Sequence, residues 1–206
     1  RLSRIFFDRR DPSQYFFTDP YDFCVQRPED VIFTNTLSPF TNLTYYKGGG
    51  SRDGEERFKS YFAINANKRL GFGFYIDYLY GRGLYQDQST AFFNGGLFSS
   101  YRGDKYDMHF IFNNDNLKMA ENGGITDDRY ITNPLDMAEG KKEYSANEIP
   151  TRLSQIWNHN TSYHAFLTHR YNLGFYKEKQ DSVDTDSVKI TQVFVPVTSF
   201  IHTLQV

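Results

Sequence analysis

The residues from Leu70 to Tyr80 alternate in character with a period of two. One set is apolar, whereas the other is small or polar and carries an aspartate midway; they are Leu70, Phe72, Phe74, Ile76, Tyr78 and Tyr80, and Gly71, Gly73, Tyr75, Asp77, Leu79 and Gly81. A two-residue period predicts a β-strand with two chemically different faces. This stretch alone fits a soluble sheet and a membrane barrel equally well.

Similar alternation along the chain predicts about seven strands. The first ends near Lys47, and the others span Arg57–Asn67, Leu70–Tyr80, Ala91–Tyr101, Tyr106–Asn113, Ser154–Tyr176 and Lys189–Val206. Tight turns at 67–69 and 102–105 alternate with polar loops, of which residues 117–152 are far longer than the usual connection. Residues 1–30 mix proline, charge and aromatic side chains without a period and predict an irregular lead-in. Residues 31–206 then form the predicted sheet.

The length and connections of these strands favour a membrane barrel. The Ser154–Tyr176 segment would span about 70 Å at about 3.3 Å per residue, which exceeds a usual soluble strand. Alternating short turns and long loops are typical of outer-membrane barrels, in which every backbone group in the lipid must be paired. Single-chain bacterial barrels close with at least eight strands. The sequence therefore predicts an all-β, antiparallel transmembrane barrel that is incomplete within these residues.

Composition agrees with this interpretation. The chain has 20 Phe and 16 Tyr but one Trp, and its mean hydropathy is −0.63. A polar lumen, an apolar band and aromatic girdles together give such an average. There is no run of about 18 apolar residues and no signal peptide. Because the chain opens at Arg1, we expect a processed or partial chain.

Four stretches also resemble a known family. They are residues 35–45 (NTLSPFTNLTY), residues 68–74 (KRLGFGF), residues 121–125 (ENGGI) and residues 196–204 (PVTSFIHTL). In order and spacing they resemble the putative porin family of Bacteroidetes-type outer membranes. The resemblance covers most of residues 31–206. It implies the N-terminal part of a longer barrel, with further strands after Val206, located in the bacterial outer membrane in contact with its lipid.

The alternation along each strand predicts which side chains face the lumen and which face lipid. The polar residues expected to face the lumen carry both signs of charge, as suits a passive channel for small polar solutes; they are Lys59, Asn65, Asp77, Asp107, His109, Asn113, Asn158 and Arg170. The apolar residues expected to face lipid are Phe58, Phe62, Phe72, Phe74, Ile76, Met108, Phe110 and Phe112. In this scheme Tyr75→Arg is tolerated because residue 75 faces water.

The sequence offers little support for catalysis or for cofactors. Cys24 is the single cysteine, so a disulfide within the chain and a Cys-based zinc cluster are excluded. His159 and His169 share one strand face and His164 lies on the other, so they cannot converge without side chains from other strands. No Ser-His-Asp order or carboxylate pair stands out. We expect no enzyme activity, no metal and no cofactor.

Charge and loops limit the range of partners. A net charge of −2 without a basic stripe argues against nucleic acid. Residues 117–152 and the Ser154–Tyr176 ribbon leave open a structural barrel that docks a surface lipoprotein or another outer-membrane protein. A secreted glycan-binding β-sandwich, with Trp157 in its platform, is a further alternative.

Two short triplets suggest a modification. Asp181-Ser182-Val183 and Asp186-Ser187-Val188 resemble a periplasmic O-glycosylation pattern at Ser182 and Ser187. Two ordinary loop triplets are the alternative interpretation.

Overall fold

The computed structural model describes residues 24–50, 53–138, 145–184 and 187–206, without the side chains of 179–184 and 187–190. Its described strands are β1 (Phe40–Gly48), β2 (Glu55–Asn65), β3 (Leu70–Gly81), β4 (Thr90–Arg102), β5 (Tyr106–Ala120), β6 (Trp157–Asp184) and β7 (Ser187–Gln205). Two helices of one turn, α1 (Arg129–Thr132) and α2 (Pro134–Met137), lie between β5 and β6. In the described part of the chain, no helix has the length and apolar character needed to cross a membrane.

The seven described strands form one antiparallel sheet in chain order, from β1 to β7. Within these residues the sheet is open, because β1 pairs only with β2 and β7 only with β6. The all-β, antiparallel fold expected of an incomplete barrel is therefore confirmed. A β-sandwich requires two packed sheets, whereas the described strands form one.

The connections are short at one edge of the sheet and longer at the other. Residues 66–69 and 103–105 join neighbouring strands at the first edge, which we call the short-turn edge. Residues 49–54, 82–89 and 121–156 lie between strands at the opposite edge, which we call the long-loop edge. The side chain of Asn67 closes the first short turn, since its oxygen accepts hydrogen bonds from the backbone N–H groups of Arg69 and Leu70.

Three predicted boundaries are wrong. The sheet begins at Phe40 rather than at residue 31, because residues 31–36 lie across the sheet instead of pairing with it. The long loop begins at residue 121 rather than 117 and ends at 156 rather than 152, because β5 continues to Ala120 opposite Trp157. The predicted lead-in falls largely outside the described residues.

The polar sequence at the end of β5 explains why the start of the long loop was predicted too early. Asn113 and Asp115 resemble the start of a loop, yet both are buried within β5 and pair with His164 and Ser162 of β6. Hydrogen bonds within the sheet, rather than apolar character, hold this part of the strand.

The two faces of the sheet differ in what covers them. Residues 24–36, which we call the N-terminal segment, lie against one face, and we name it the covered face and its opposite the open face. The buried apolar cluster lies on the covered face and consists of Ala63, Tyr75, Phe98 and Ile111, with Val31 and Phe33 of the segment packed against it. The core of the described structure is thus the contact between segment and sheet.

Small residues on the covered face make room for flat aromatic rings. A Cβ added at Gly96 would lie 2.5 Å from the Tyr75 ring, and one at Gly73 would clash with the Phe98 ring. Each glycine is directly opposite the residue that carries the ring: Gly96 pairs with Tyr75, and Gly73 pairs with Phe98. The glycines therefore allow the rings to lie along the sheet.

The β6 and β7 strands extend beyond the rest of the sheet at the short-turn edge. The pairing of β5 with β6 ends at Tyr106 and Tyr171. Residues 172–184 of β6 pair with residues 187–199 of β7 and form a two-stranded extension, the β6–β7 ribbon. At about 3.3 Å per residue the ribbon is about 40 Å long. The side chains of Ser182 and Ser187 lie outside the described set, so their modification stays a prediction.

Candidate functional site

The structure places all eight predicted lumen residues on the covered face. Lys59 and Asp77 form an ion pair across β2 and β3, and Asn65 donates a hydrogen bond to Asn35 of the N-terminal segment. The Asp107 carboxylate accepts a hydrogen bond from the Asn172 side chain. The remaining members follow from strand register and alternation; they are His109, Asn113, Asn158 and Arg170.

Opposite charges meet at the β2–β3 end of this face. Arg57 donates to both carboxylate oxygens of Asp77, with Nε–Oδ1 and Nη2–Oδ2 distances of 2.8 and 2.6 Å. Lys59 Nζ lies 3.4 Å from the same Oδ2 atom. Two cations thus share one carboxylate on a half-buried surface.

The N-terminal segment is held by side chains from three strands. The amide of Asn94 on β4 donates to the Cys24 carbonyl at 3.1 Å, and that of Asn113 on β5 donates to the Gln26 carbonyl at 3.0 Å. The Tyr61 hydroxyl on β2 donates to the Ile32 carbonyl at 2.7 Å. Since the segment's backbone here forms no strand, these side chains satisfy carbonyl groups that a sheet would otherwise pair.

Asn113 is at the centre of a buried polar network. It is 1 % exposed, its oxygen accepts from the Tyr75 hydroxyl at 2.9 Å, and its amide also donates to Asp115 at 2.9 Å. Asp115 is likewise 1 % exposed, and its other oxygen has no hydrogen-bond partner in the described structure. His164 Nε2 lies 3.9 Å from the carboxylate. The Asn113 side chain therefore joins the segment, β3 and the buried acid.

Aromatic contacts anchor the other end of the segment. The Phe33 ring meets Phe98 edge to face at a centroid distance of 5.5 Å and meets His109 at 5.0 Å. The Tyr61 ring stacks on Phe98 at 5.4 Å. These contacts bury apolar area on a face that the sequence predicted to be polar.

Sequence reasoning missed the N-terminal segment as part of the site. Its residues have no period, and the groups that bind them are ordinary polar positions on distant strands. The single available signal was the run of apolar and aromatic residues Val31, Ile32 and Phe33, which the prediction assigned to a strand.

Burial of the segment also changes its cysteine. Burial raises the pKa of the Cys24 thiol to about 11. At neutral pH the thiolate fraction is therefore much smaller than for an exposed cysteine, and reaction with maleimides should be slow. Cys24 is thus a reporter of whether the segment stays docked.

Clefts lined in part by charged side chains lie on the covered face. One of about 300 Å³ is lined by Asp30, Asn42, Lys59 and Asp77, among others. The other, of about 520 Å³, lies near the short-turn edge and is lined by Arg102, Asp107, His109, Thr168 and Arg170, among others. Both clefts carry charges of both signs.

The open face presents apolar side chains along the width of the sheet. All eight predicted lipid-facing residues lie on it by strand alternation and register. Large side chains exposed on this face come from every described strand and include Leu43, Phe58, Phe72, Phe74, Leu97, Phe112, Tyr163 and Phe200. Soluble monomers rarely expose an apolar surface of this extent.

The charged cluster at Asp77 supports a prediction on ion selectivity. Asp77→Asn keeps the side-chain shape but leaves Arg57 and Lys59 without their carboxylate, so the covered face becomes more positive. In the passive channel that the sequence predicts, we expect a severalfold rise in chloride over potassium permeability, measured as the reversal potential in a salt gradient. Asp104→Asn is the matched control, because it removes the same charge from the exposed turn at 103–105. An equal shift in both variants would contradict the prediction.

Among the described residues, carboxylate, cysteine and histidine side chains form no metal cluster, and the group of Ser162, His164 and Asp115 lacks the geometry of a catalytic triad. Among them no group of three or more His, Cys, Asp or Glu side chains is arranged to hold a metal ion. Ser162 Oγ and Asp115 both approach the Nε2 atom of His164, at 2.9 and 3.9 Å. A catalytic triad needs its serine and aspartate on different nitrogens of the histidine, so this cluster does not have that geometry.

Comparison with known proteins gives one match. A family model described as a putative porin matches residues 1–206. No curated protein and no solved structure matches the chain.

Proposed function

The chain belongs to the putative porin family, and from this premise we propose that it forms part of the wall of an outer-membrane channel for passive diffusion of small polar solutes. Family membership points to a channel-like protein rather than an enzyme. In this proposal the open face contacts lipid, the covered face lines the lumen, and the N-terminal segment narrows the passage.

The contrast between the two faces is the observation that carries the proposal. The open face exposes large apolar side chains on every described strand, whereas the covered face carries Arg57, Lys59, Asp77, Asp107 and Arg170. Exposed to water, the apolar open face would promote aggregation. Exposed to lipid, the charged covered face would carry a high free-energy cost. A barrel wall between hydrocarbon and an aqueous lumen satisfies both.

Unpaired edges argue for further strands in the assembled barrel. The outer backbone groups of β1 and β7 have no partner strand in the described structure. Each unsatisfied group within the hydrocarbon costs several kcal/mol, so membrane barrels are closed. We propose that additional strands complete the wall.

Conductance tests the channel function. The complete natural protein, reconstituted in planar bilayers, should give stepwise currents, and liposomes that contain it should swell in small sugars. Swelling should fall as solute size rises. Correctly folded protein that gives neither currents nor swelling would exclude a diffusion channel and leave a structural role.

Orientation gives a second test. Bacterial barrels keep short turns in the periplasm, so trypsin added to intact cells should cut residues 121–156, at described sites such as the exposed Arg129 and Arg152. Lys68, Arg69 and Lys105 in the short turns should stay uncut until the outer membrane is permeabilised. Cleavage of the short turns with the long loop protected would show the opposite orientation.

A docking role is the second candidate function. Ile131 and Leu135 in the two short helices of the long loop are 60 and 79 % exposed, although both are large and apolar. Such side chains on an extracellular loop fit an interaction with a surface lipoprotein or another outer-membrane protein. Crosslinking in cells from position 135, with position 121 as the control, should capture a defined partner if this role is correct.

A further inference from the structure

Two histidines meet on the open face near the short-turn edge. His169 of β6 and His202 of β7 are directly opposite in the sheet register. Their Nε2 and Nδ1 atoms are 3.1 Å apart, and the rings are edge to face with a centroid distance of 5.2 Å. The sequence placed His169 beyond reach of the other histidines of its own strand; the neighbouring strand supplies His202.

A methionine extends this pair into a row. Met108 of β5 is directly opposite His169 on its other side. Directly opposite side chains have Cβ atoms about 4.5–5.5 Å apart, which a flexible thioether can bridge. Met108 and His169 are half-buried and His202 is exposed, and the row lies close to the short-turn edge, at the end of the face that we assign to lipid. The open face thus aligns one sulfur and two imidazoles across three strands.

The nitrogen separation matches that of two ligands on one metal ion. Imidazole nitrogens bind zinc at about 2.0–2.1 Å, and copper ions are similar in size. At the tetrahedral ligand–metal–ligand angle, two such nitrogens lie about 3.3–3.4 Å apart. The observed 3.1 Å is close to that separation, so a small ring rotation would replace the hydrogen bond by a shared metal.

The donor set selects the metal. Imidazole binds several first-row ions, but a thioether favours Cu(I) over the harder alternatives. We propose that Met108, His169 and His202 form a site for a cuprous ion. The site joins β6 to β7 two residues before β6 leaves β5 at Tyr171, so bound copper ties the two strands together at the base of the β6–β7 ribbon.

Competition titrations with Cu(I) test the site. The detergent-solubilised full chain, kept reduced with ascorbate, should take one Cu(I) from a chromophoric chelator. His169→Ala and His202→Ala should each weaken Cu(I) binding by at least about tenfold, because each removes one ligand. His159→Ala is the matched control, since it lies on the same strand and face but opposite Lys118, and it should not change the affinity.

The methionine distinguishes copper from other metals. Met108→Leu keeps the apolar volume and removes the sulfur, so Cu(I) affinity should fall by about tenfold while zinc affinity stays within about twofold. Met119→Leu should change neither. Binding that Met108→Leu does not weaken, or that His159→Ala weakens equally, would overturn the proposal. Conductance tests the channel without reference to copper. A failure of the copper proposal is therefore distinguishable from a failure of the proposed function.

Discussion

Phe74→Arg should destabilise the protein in a lipid bilayer by about 2–4 kcal/mol. Phe74 lies within β3 on the open face, stacks on Phe62 at a centroid distance of 5.4 Å and is 37 % exposed. In the proposed barrel that exposed surface meets hydrocarbon, so the substitution places a guanidinium in the apolar band. Urea unfolding of vesicle-refolded protein, followed by Trp157 fluorescence and gel mobility, measures the loss.

Asn42→Arg is the matched control for this prediction. Asn42 is exposed on the covered face of β1, opposite Tyr61. A new guanidinium there stays hydrated, and its cost should be below about 1 kcal/mol. If both variants lose the same stability, or if Asn42→Arg alone unfolds the protein, the assignment of lipid to the open face is wrong.

Asn113→Leu should release the N-terminal segment and cost about 2–4 kcal/mol. The change removes the bonds that Asn113 makes with Tyr75, Gln26 and Asp115, and it leaves buried polar groups without their partner. Leucine has a similar volume, so the loss reports hydrogen bonding rather than a cavity. Unfolding in urea measures the cost.

Labelling of Cys24 shows whether the segment has moved. Once undocked, the Cys24 thiol loses the burial that raises its pKa to about 11, so its thiolate fraction at about pH 7.5 rises and maleimide labelling should accelerate. In the proposed channel, conductance should increase as the segment leaves the lumen. Asn158→Leu, on the same face but exposed, should change neither. Slow labelling and unchanged conductance in Asn113→Leu would mean that Asn113 does not hold the segment.

Alternation allowed the sheet to be predicted from sequence. The parity of Leu70–Tyr80 placed Phe74 and Asp77 on opposite faces, and pairing of β3 with β2 and β4 preserves that assignment. A one-residue error in register would have reversed it. Local periodicity therefore identified the strands and assigned their side chains to two faces.

The covered face could not be predicted to the same degree. Tyr75 shares parity with Asp77, so the sequence predicted that Tyr75→Arg would be tolerated. The structure contradicts this prediction, because Tyr75 is buried over Gly96 and donates to Asn113. The contacts that bury it join residues far apart in the chain, and the N-terminal segment that covers this face has no periodicity.

Site-directed spin labelling tests the central claim most directly, namely that the open face meets lipid and the covered face meets water. In a Cys24→Ser background, labels at positions 43 and 74 of the protein in lipid should be accessible to oxygen and shielded from a water-soluble nickel reagent. Labels at positions 42 and 59 should show the opposite accessibility. Equal exposure to the nickel reagent at all four positions would contradict the barrel account.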